Sequence, residues 1–434
     1  MSMQTSLQGI ARKARTNKDH RFGNLYEMLN EENLLDSWQY IRKNAACGVD
    51  KVSAREYEKN LKENISGLVE RLKSKSYKAK LIRRQYIPKD NGKLRPLGIP
   101  ATEDKLLQVA VTRILQAIYE EEFMRCSYGY RPNVGAKDAV DKLTVKLQFG
   151  NYNYILDADL RGYFDTIDHD KLMEMLEARI EDKQFVRLIR KWLKAGVLET
   201  DGRVINPATG VPQGGIISPI LSNVYLHNVL DTWFHREALK DCRGEACLIR
   251  YADDYICAFE YKEEAERFYE RLQDRLKGYG LELSEEKTKI ISFNRDKDKG
   301  TSRFDFLGFE FYWGTDRKGK AHLKRRTSRK KLRKSIANFT EWCRSNRHMK
   351  LREFFRKLNQ KLKGYYNYYC IPGNSSGISE FSYQAMHILH KWLNRRSQRG
   401  SYNWSGFREL LKHFKVPVPR KSGWTKPKQM ELYV

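Results

Sequence analysis

The chain has 434 residues and carries 82 Lys+Arg against 54 Asp+Glu, a formal net charge of +28. Hydrophobic residues make up 40% and aromatics 12%, enough apolar material for packed cores, so a wholly disordered chain is excluded and the length predicts two or three domains. No stretch reaches the roughly 18 consecutive apolar residues of a membrane helix, and the polar start MSMQTSLQGIARKARTNKDHRF has no apolar core for a secretory signal.

In chain order, residues 25–75 read as helices punctuated by a turn at Gly48–Ser53. Residues 81–88 and 93–99 read as two strands of a hairpin joined through Lys89-Asp90-Asn91-Gly92. An amphipathic helix is predicted over 104–122, then SYGYRP (127–132) and a helix to about 149. Residues 153–160 predict a strand, 169–195 two helices, 203–211 short strands and 217–240 one long helix. Residues 246–260 predict a hairpin, 263–278 a helix, and 281–293 and 303–313 further strands. From about 325 the pattern is helical, interrupted near 371–377 and followed by a Pro/Lys-containing tail. The seven cysteines form no CxxC pair and read as reduced thiols; His387 and His390, three apart without a third ligand, read as packing histidines.

The charge is unevenly placed. Residues 317–434 hold 30 Lys+Arg and 5 Asp+Glu, whereas residues 1–316 are nearly balanced at 52 and 49. The densest stretch, 324–334, includes Lys324, Arg325, Arg326, Arg329 and Lys330, and aromatic residues recur after it at helical spacing. A folded basic helical region of this kind suits a polyphosphate backbone, so these five residues are candidate RNA contacts.

Three motifs carry chemistry. Tyr251-Ala252-Asp253-Asp254 lies between apolar strand-like runs; at a hairpin tip two neighbouring carboxylates can share one site and offer hard oxygens to Mg²⁺. Upstream, Asp157 and Asp159 fall on one strand face, and Asp168 reads as the N-cap of the next helix. One carboxylate on a strand facing two on a hairpin is the layout that two-metal phosphoryl transfer requires. Between them, 209–223 (TGVPQGGIISPILSN) reads as a Pro/Gly loop entering a helix, where backbone can approach a ligand.

The ordered set GVDKVS (48–53), IPKDNGKLRPLGIP (87–100), SYGYRP, DADLRGYFDTIDHDKL (157–172), GVPQGGIISPILSN (210–223), RYADD (250–254), EKTK (286–289), FLGFEF (306–311) and GYYNYY (364–369) resembles reverse transcriptases encoded by bacterial group II introns, over most of the chain. The resemblance implies an α+β right-hand polymerase: an N-terminal extension and fingers in 1–150, a palm with an antiparallel sheet and packed helices in 151–320, and an all-α basic thumb or maturase domain with a short basic tail in 321–434. It implies metal binding by Asp159, Asp253 and Asp254 with the backbone carbonyl of Leu160, two Mg²⁺ ions, and Mn²⁺ as a substitute. It further implies nucleotide binding by Lys89, Arg95, Phe164 (a steric gate against the ribose 2′-OH) and Gln213. Template and primer contacts fall on Pro212, Gly214, Lys287 and the grip Phe306-Leu307-Gly308. For Lys287 the plain alternative is a solvated lysine.

The implied partners are a group II intron RNA, an RNA template with a DNA primer, dNTPs and target DNA, with no membrane, in the bacterial cytoplasm and at the nucleoid when acting on DNA. No His/Asn/His cluster or cysteine pair follows the thumb-like region, so a form without the HNH endonuclease is expected. Besides an intron-copying enzyme with maturase activity, two readings stay open: a related enzyme recruited to a host role such as phage defence, and an RNA-binding splicing cofactor with a vestigial site. The intact Asp triad argues against the last, and Phe164 argues against an RNA-copying RNA polymerase.

Overall fold

A computed structural model describes residues 3–88, 92, 94–298, 300–397 and 400–419. Lys89, a candidate nucleotide contact, and most of the connection between the first two strands lie outside the described residues. The helices are α1 (Met3–Thr16), α2 (Glu31–Trp38), α3 (Ala54–Lys59), α4 (Leu61–Lys73), α5 (Thr102–Tyr119), α6 (Ala136–Phe149), α7 (Tyr163–Thr166), α8 (His169–Glu177), α9 (Lys183–Leu193), α10 (Ser218–Leu226), α11 (Thr232–Arg236), α12 (Lys262–Lys277), α13 (Arg329–Asn346), α14 (Leu351–Tyr369), α15 (Ser375–Leu393) and α16 (Trp404–His413). The strands are β1 (Ile82–Pro88), β2 (Leu94–Ile99), β3 (Tyr154–Ala158), β4 (Val197–Leu198), β5 (Val204–Ile205), β6 (Ala246–Tyr251), β7 (Asp254–Phe259), β8 (Lys289–Ser292), β9 (Arg303–Phe306), β10 (Phe309–Thr315) and β11 (Ala321–Thr327).

The described chain divides into two compact units: one of 3–139 with 156–290, the other of 140–155 with 291–419. These limits differ from breaks at 150 and 320. Residues 140–155 join the second unit because they are bonded into it: Gln148 Oε1 accepts from Leu323 N at 2.8 Å, and Asn153 O accepts from Phe293 N at 2.7 Å.

In the first unit α5 forms the centre. It is buried on nearly every face rather than along one stripe, with Leu106, Leu107, Val109, Ala110, Val111, Ile114 and Leu115 all inaccessible, so the predicted amphipathic helix is a core helix. β1 and β2 form the expected antiparallel hairpin, and β4 and β5 extend it in the order β2-β1-β4-β5. A second sheet has the order β6-β7-β3-β8. Side-chain caps start α8 and α9: Asp168 accepts from the N–H groups of Asp170 and Lys171, and Asp182 from those of Gln184 and Phe185. The predicted helix 217–240 runs without interruption from Ser218 to Arg236, with His227–Asp231 forming a π-turn between α10 and α11. Only 289–292 of the predicted strand 281–293 pairs as a strand; Leu283 makes a single bridge to Leu160.

The second unit has the sheet β11-β10-β9 and the helices α13 to α16. The predicted strand 303–313 is split at Leu307-Gly308 into β9 and β10, and the basic run begins in a strand, with α13 starting only at Arg329. Phe354, Leu358, Leu362 and Tyr366, spaced by four, put one stripe of α14 into a core shared with Phe339, Cys343, Phe381 and Leu389. His390 stacks on Trp404 at 4.3 Å, and its Nε2 lies 2.9 Å from Tyr402 O, a packing role. No described helix is long and apolar enough to cross a membrane.

Candidate active site

β6 and β7 pair through Tyr251↔Asp254, which leaves Ala252 and Asp253 as the two central residues of the hairpin turn. Ala252 takes a left-handed conformation, φ +56°, which costs an alanine about 1–2 kcal/mol. The turn is held from behind. Gly129 of the SYGYRP motif lies so close that a Cβ there would stand 2.2 Å from Ala252 N, so only glycine fits. Cys126 O accepts from Arg250 N at 2.7 Å, and Arg250 O accepts from Tyr128 N at 2.9 Å.

Arg250 itself is fully buried. Its Nε and Nη2 donate to the two oxygens of buried Asp231 at 2.7 and 2.6 Å. Its other donors reach Asn223 Oδ1 (3.1 Å), the Ala252 carbonyl (3.0 Å) and Ser127 Oγ (2.7 Å). Asn223 in turn donates to Gly129 O at 2.7 Å. Burial works against the guanidinium charge and Asp231 more than offsets it, so Arg250 stays protonated. One planar fork therefore ties the turn to the π-turn that carries Asp231, to α10 through Asn223, and to the 127–129 segment.

Asp159 follows the last residue of β3. Its carbonyl accepts from Ser284 N at 2.7 Å, and Arg161 N donates to Glu282 O at 2.9 Å. These two bonds flank the Leu160–Leu283 bridge and neither uses the Leu160 carbonyl. Lys287 Nζ lies 2.6 Å from Asp159 Oδ2, so this lysine is engaged with the candidate site. Asp253 is half-buried and Asp254 exposed. Burial pushes the Asp253 carboxyl above the usual carboxylate range, the Asp159 charge adds to that push, and Arg95 and Arg250 oppose it. Tyr130, raised by burial and then by the Asp253 charge, belongs to the same neighbourhood.

The 210–215 loop is braced against two neighbours. Val211 N donates to Phe164 O at 2.7 Å, Gly98 N of β2 donates to Gln213 O at 2.6 Å, and Gln213 Nε2 lies 3.5 Å from Asp165 Oδ2. Gly214 has φ +103° and passes within 2.8 Å (measured from a hypothetical Cβ) of Gly98 O. Pro212 O accepts from Gly215 N and from Ser218 Oγ, which closes the loop onto the start of α10. Phe164, half-buried on α7, and Gln213 thus belong to one braced assembly, while exposed Arg95 on β2 is within electrostatic reach of Asp253.

The donor set suits a hard divalent cation: carboxylate oxygens, with a lysine ammonium already attracted to one of them. Among the described residues no three carboxylate, imidazole or thiol ligands converge on one point. Mg²⁺ is ordinarily held by one or two carboxylates, with substrate phosphates and water completing its octahedron, so the residues fit.

In the second unit, Leu307 (φ +48°) and Gly308 (φ +80°) form the two-residue turn between β9 and β10. Tyr368 Oη donates to Leu307 O at 2.9 Å, and Gly308 O accepts from Ser328 N. Phe306 is buried beneath this turn. Of the five candidate RNA contacts, Arg329 and Lys330 are exposed and Lys324 is half-buried. Arg325 is buried and donates to Asp141 Oδ1 (2.6 Å) and Thr144 Oγ1 (2.9 Å); Arg326 is paired with Glu310. Arg325 is committed inside the unit because alternate residues of β11 face its core, whereas Arg326, on the opposite strand face, is committed to Glu310.

Sequence reasoning missed Asp231 and the roles of Arg250, Asn223, Tyr130 and Gly129. All but Asp231 lie within quoted motifs; Asp231 stands in a helix, and only the fold brings it to Arg250.

The profile of the reverse transcriptase (RNA-dependent DNA polymerase) family matches residues 87–311. Protein YkfC of Escherichia coli (strain K12) is 33% identical over 68% of this chain and 83% of its own length. Group II intron-encoded protein LtrA of Lactococcus lactis subsp. cremoris is 30% identical over 87% of this chain and 75% of its own. Among solved structures, an apo telomerase from Candida Tropicalis, truncated from its C-terminal domain, covers 54% of this chain and 53% of that one, at 16% identity and a TM-score of 0.43.

Proposed function

We propose, from the premise that this chain belongs to the reverse transcriptase family in its group II intron maturase branch, that Asp159, Asp253 and Asp254 form the polymerising site of an enzyme that copies its intron RNA into DNA. The fold is that of a right-hand polymerase with a helical C-terminal region, and the chain is an RNA-directed DNA polymerase with a maturase role. In the proposed division the β1-β2 hairpin and helices α2 to α5 act as fingers, the β6-β7-β3-β8 sheet as palm, and α13 to α16 as thumb. The observation that carries the reading is the buried Arg250 fork, which holds a strained carboxylate-bearing turn within electrostatic reach of Asp159.

Asp159, Asp253 and Asp254, with the Leu160 carbonyl, would hold two Mg²⁺ ions, for which Mn²⁺ could substitute. When bound, such ions supply a lowered pKa for the primer hydroxyl and charge stabilisation for the departing pyrophosphate. Arg95 and Lys89 would present cations to the incoming triphosphate. Phe164 would fill the space that a ribose 2′-OH needs, and Gln213, braced through its backbone to Gly98, would position the nucleotide with the template. Pro212 and Gly214 would shape that loop, and Phe306-Leu307-Gly308 would grip the primer. Lys287, now on Asp159, would keep that carboxylate oriented before substrate arrives. The proposed partners are the intron RNA, a DNA primer and target DNA, in the bacterial cytoplasm.

The test is Asp253→Asn with Asp254→Asn, which removes charge with little change of volume. Losing one well-placed electrostatic group costs about 10²–10³ in rate in other enzymes, so primer extension on an RNA template should disappear. Splicing of the intron at low Mg²⁺ and its RNA affinity should stay within a few fold, because the RNA performs its own splicing chemistry. Extension that persists would sink the carboxylate assignment.

A further inference from the structure

α13 and α15 pack side by side, and both end at one open cavity of about 590 Å³ lined by Arg344, Ser345, Arg347, His348, Trp392 and Arg395. Among the described residues, no acidic side chain lines it. The two chain segments that close the helix ends, 344–350 and 391–396, hold six Lys+Arg and no Asp or Glu. The plain explanation is that cations complement helix C-termini. Each terminus carries the equivalent of roughly half a negative charge, so two termini offset about one cation of the six.

The surplus is only partly used inside the unit. Arg396 donates to Met349 O at 2.8 Å, and exposed Arg344 pairs with Glu341 at 2.9 Å. Arg347 and Arg395 pair with no carboxylate among the described residues. Their guanidinium carbons instead lie 5.5 and 5.4 Å from the centre of the Trp392 ring. An indole face attracts a guanidinium without satisfying its N–H edge. Arg347 spends one donor on the Arg344 carbonyl at 3.1 Å. The wall also contains a donor with no acceptor among the described residues, the buried indole N–H of Trp392. The cavity therefore offers many donors, a surplus of charge, and two planar forks set on one aromatic platform.

We infer that this cavity is a docking site for the phosphodiester backbone of an RNA strand, gripped by Arg347 and Arg395 with Arg344 beside them. Phosphate is the ligand whose oxygens match a guanidinium fork bidentately. RNA is the source because the site is open and its surplus charge belongs to a basic face, which a repeating polyanion rewards more than a single ion does. The proposal rests on the reading that the chain binds RNA, and it adds a contact site apart from the 324–330 run, two of whose arginines are committed elsewhere.

The experiment uses the full chain and a single-stranded RNA oligonucleotide, with affinity measured across a salt series. Arg347→Gln with Arg395→Gln should weaken binding about tenfold at 0.15 M salt, and should reduce the slope of log K against log salt by about 1.4, at roughly 0.7 per phosphate contact on a single strand. Arg408→Gln with Lys412→Gln, which removes two exposed charges from α16, should change the slope little. Arg347→Lys with Arg395→Lys should keep the slope while losing severalfold in affinity, since the charge remains and the fork does not. Thermal melting of each variant should match the parent. A cavity variant that behaves like the α16 control overturns the proposal. If the parent binds no RNA, the underlying reading fails with it. If the parent binds RNA and extends primers normally while the cavity variant binds unchanged, only the cavity assignment falls.

Discussion

The two units solve different problems with different cores. The first threads buried polar pairs through its interior: Arg250 with Asp231, and Asp104 accepting from Tyr77 Oη at 2.6 Å while Tyr77 accepts from Trp192 Nε1 at 2.9 Å. The second packs aromatic and aliphatic stripes, with Phe355 on Phe414 at 4.2 Å and Tyr365 on Phe381 at 3.5 Å, and leaves much of its charge outside. A buried ion pair stabilises a fold little, yet its hydrogen-bond geometry admits few arrangements. That is what a site needs when carboxylates must stand in fixed relation. An apolar bundle is permissive in detail and leaves its surface free to gather cations for a polyanion.

Arg250→Met should break the comparison most strongly. It leaves Asp231 buried and uncompensated, a loss of about 3–5 kcal/mol, read by chemical denaturation. Adding Asp231→Leu should recover most of the stability and little of the primer extension. If both recover together, the pair merely fills space. In the second unit, Leu358→Ala should cost about 2–5 kcal/mol by leaving a cavity between α14 and its neighbours, seen as lost amide protection in α14 and α15. A cost below 1 kcal/mol would mean that this core is loosely packed.

Phe164→Ala should lower discrimination against ribonucleotides by about tenfold or more, since a steric contact of this kind is worth about 1–3 kcal/mol. Competitive extension with dNTP and NTP measures it, and equal discrimination in variant and parent removes the steric-gate assignment.

The smallest effect concerns pH. Burial raises the Asp104 carboxyl to about 6 from an ordinary 3.8, against the hydrogen bonds from Tyr77 and Lys80. A carboxyl raised on folding contributes stability that is present at low pH and lost as pH rises through about 6. From pH 7 to pH 5 this group should add about 1 kcal/mol. The difference between parent and Asp104→Asn in denaturation midpoints at the two pH values isolates it; no difference would mean that this carboxyl is not perturbed.

Much of the site was legible in the residues themselves. The apolar strand-like runs on either side of Tyr251–Asp254 predicted a hairpin with carboxylates at its tip, and the β1-β2 hairpin followed from its Asn-Gly connection, because both signals are local: short apolar runs and turn chemistry act within a few residues. The charge asymmetry likewise located a basic C-terminal region without any structure. Local pattern could not reveal that Asp231, nineteen residues before Arg250, is its partner, that Gly129 must lack a side chain to seat the turn, or that residues 140–155 belong with 291–419. Nor could it show that Arg325 points inward from β11 while Arg347 and Arg395, outside the densest basic run, share one cavity. Those relations join residues far apart in the chain, and they are decided by which polar groups must find partners once the core closes, a demand that exists only in three dimensions.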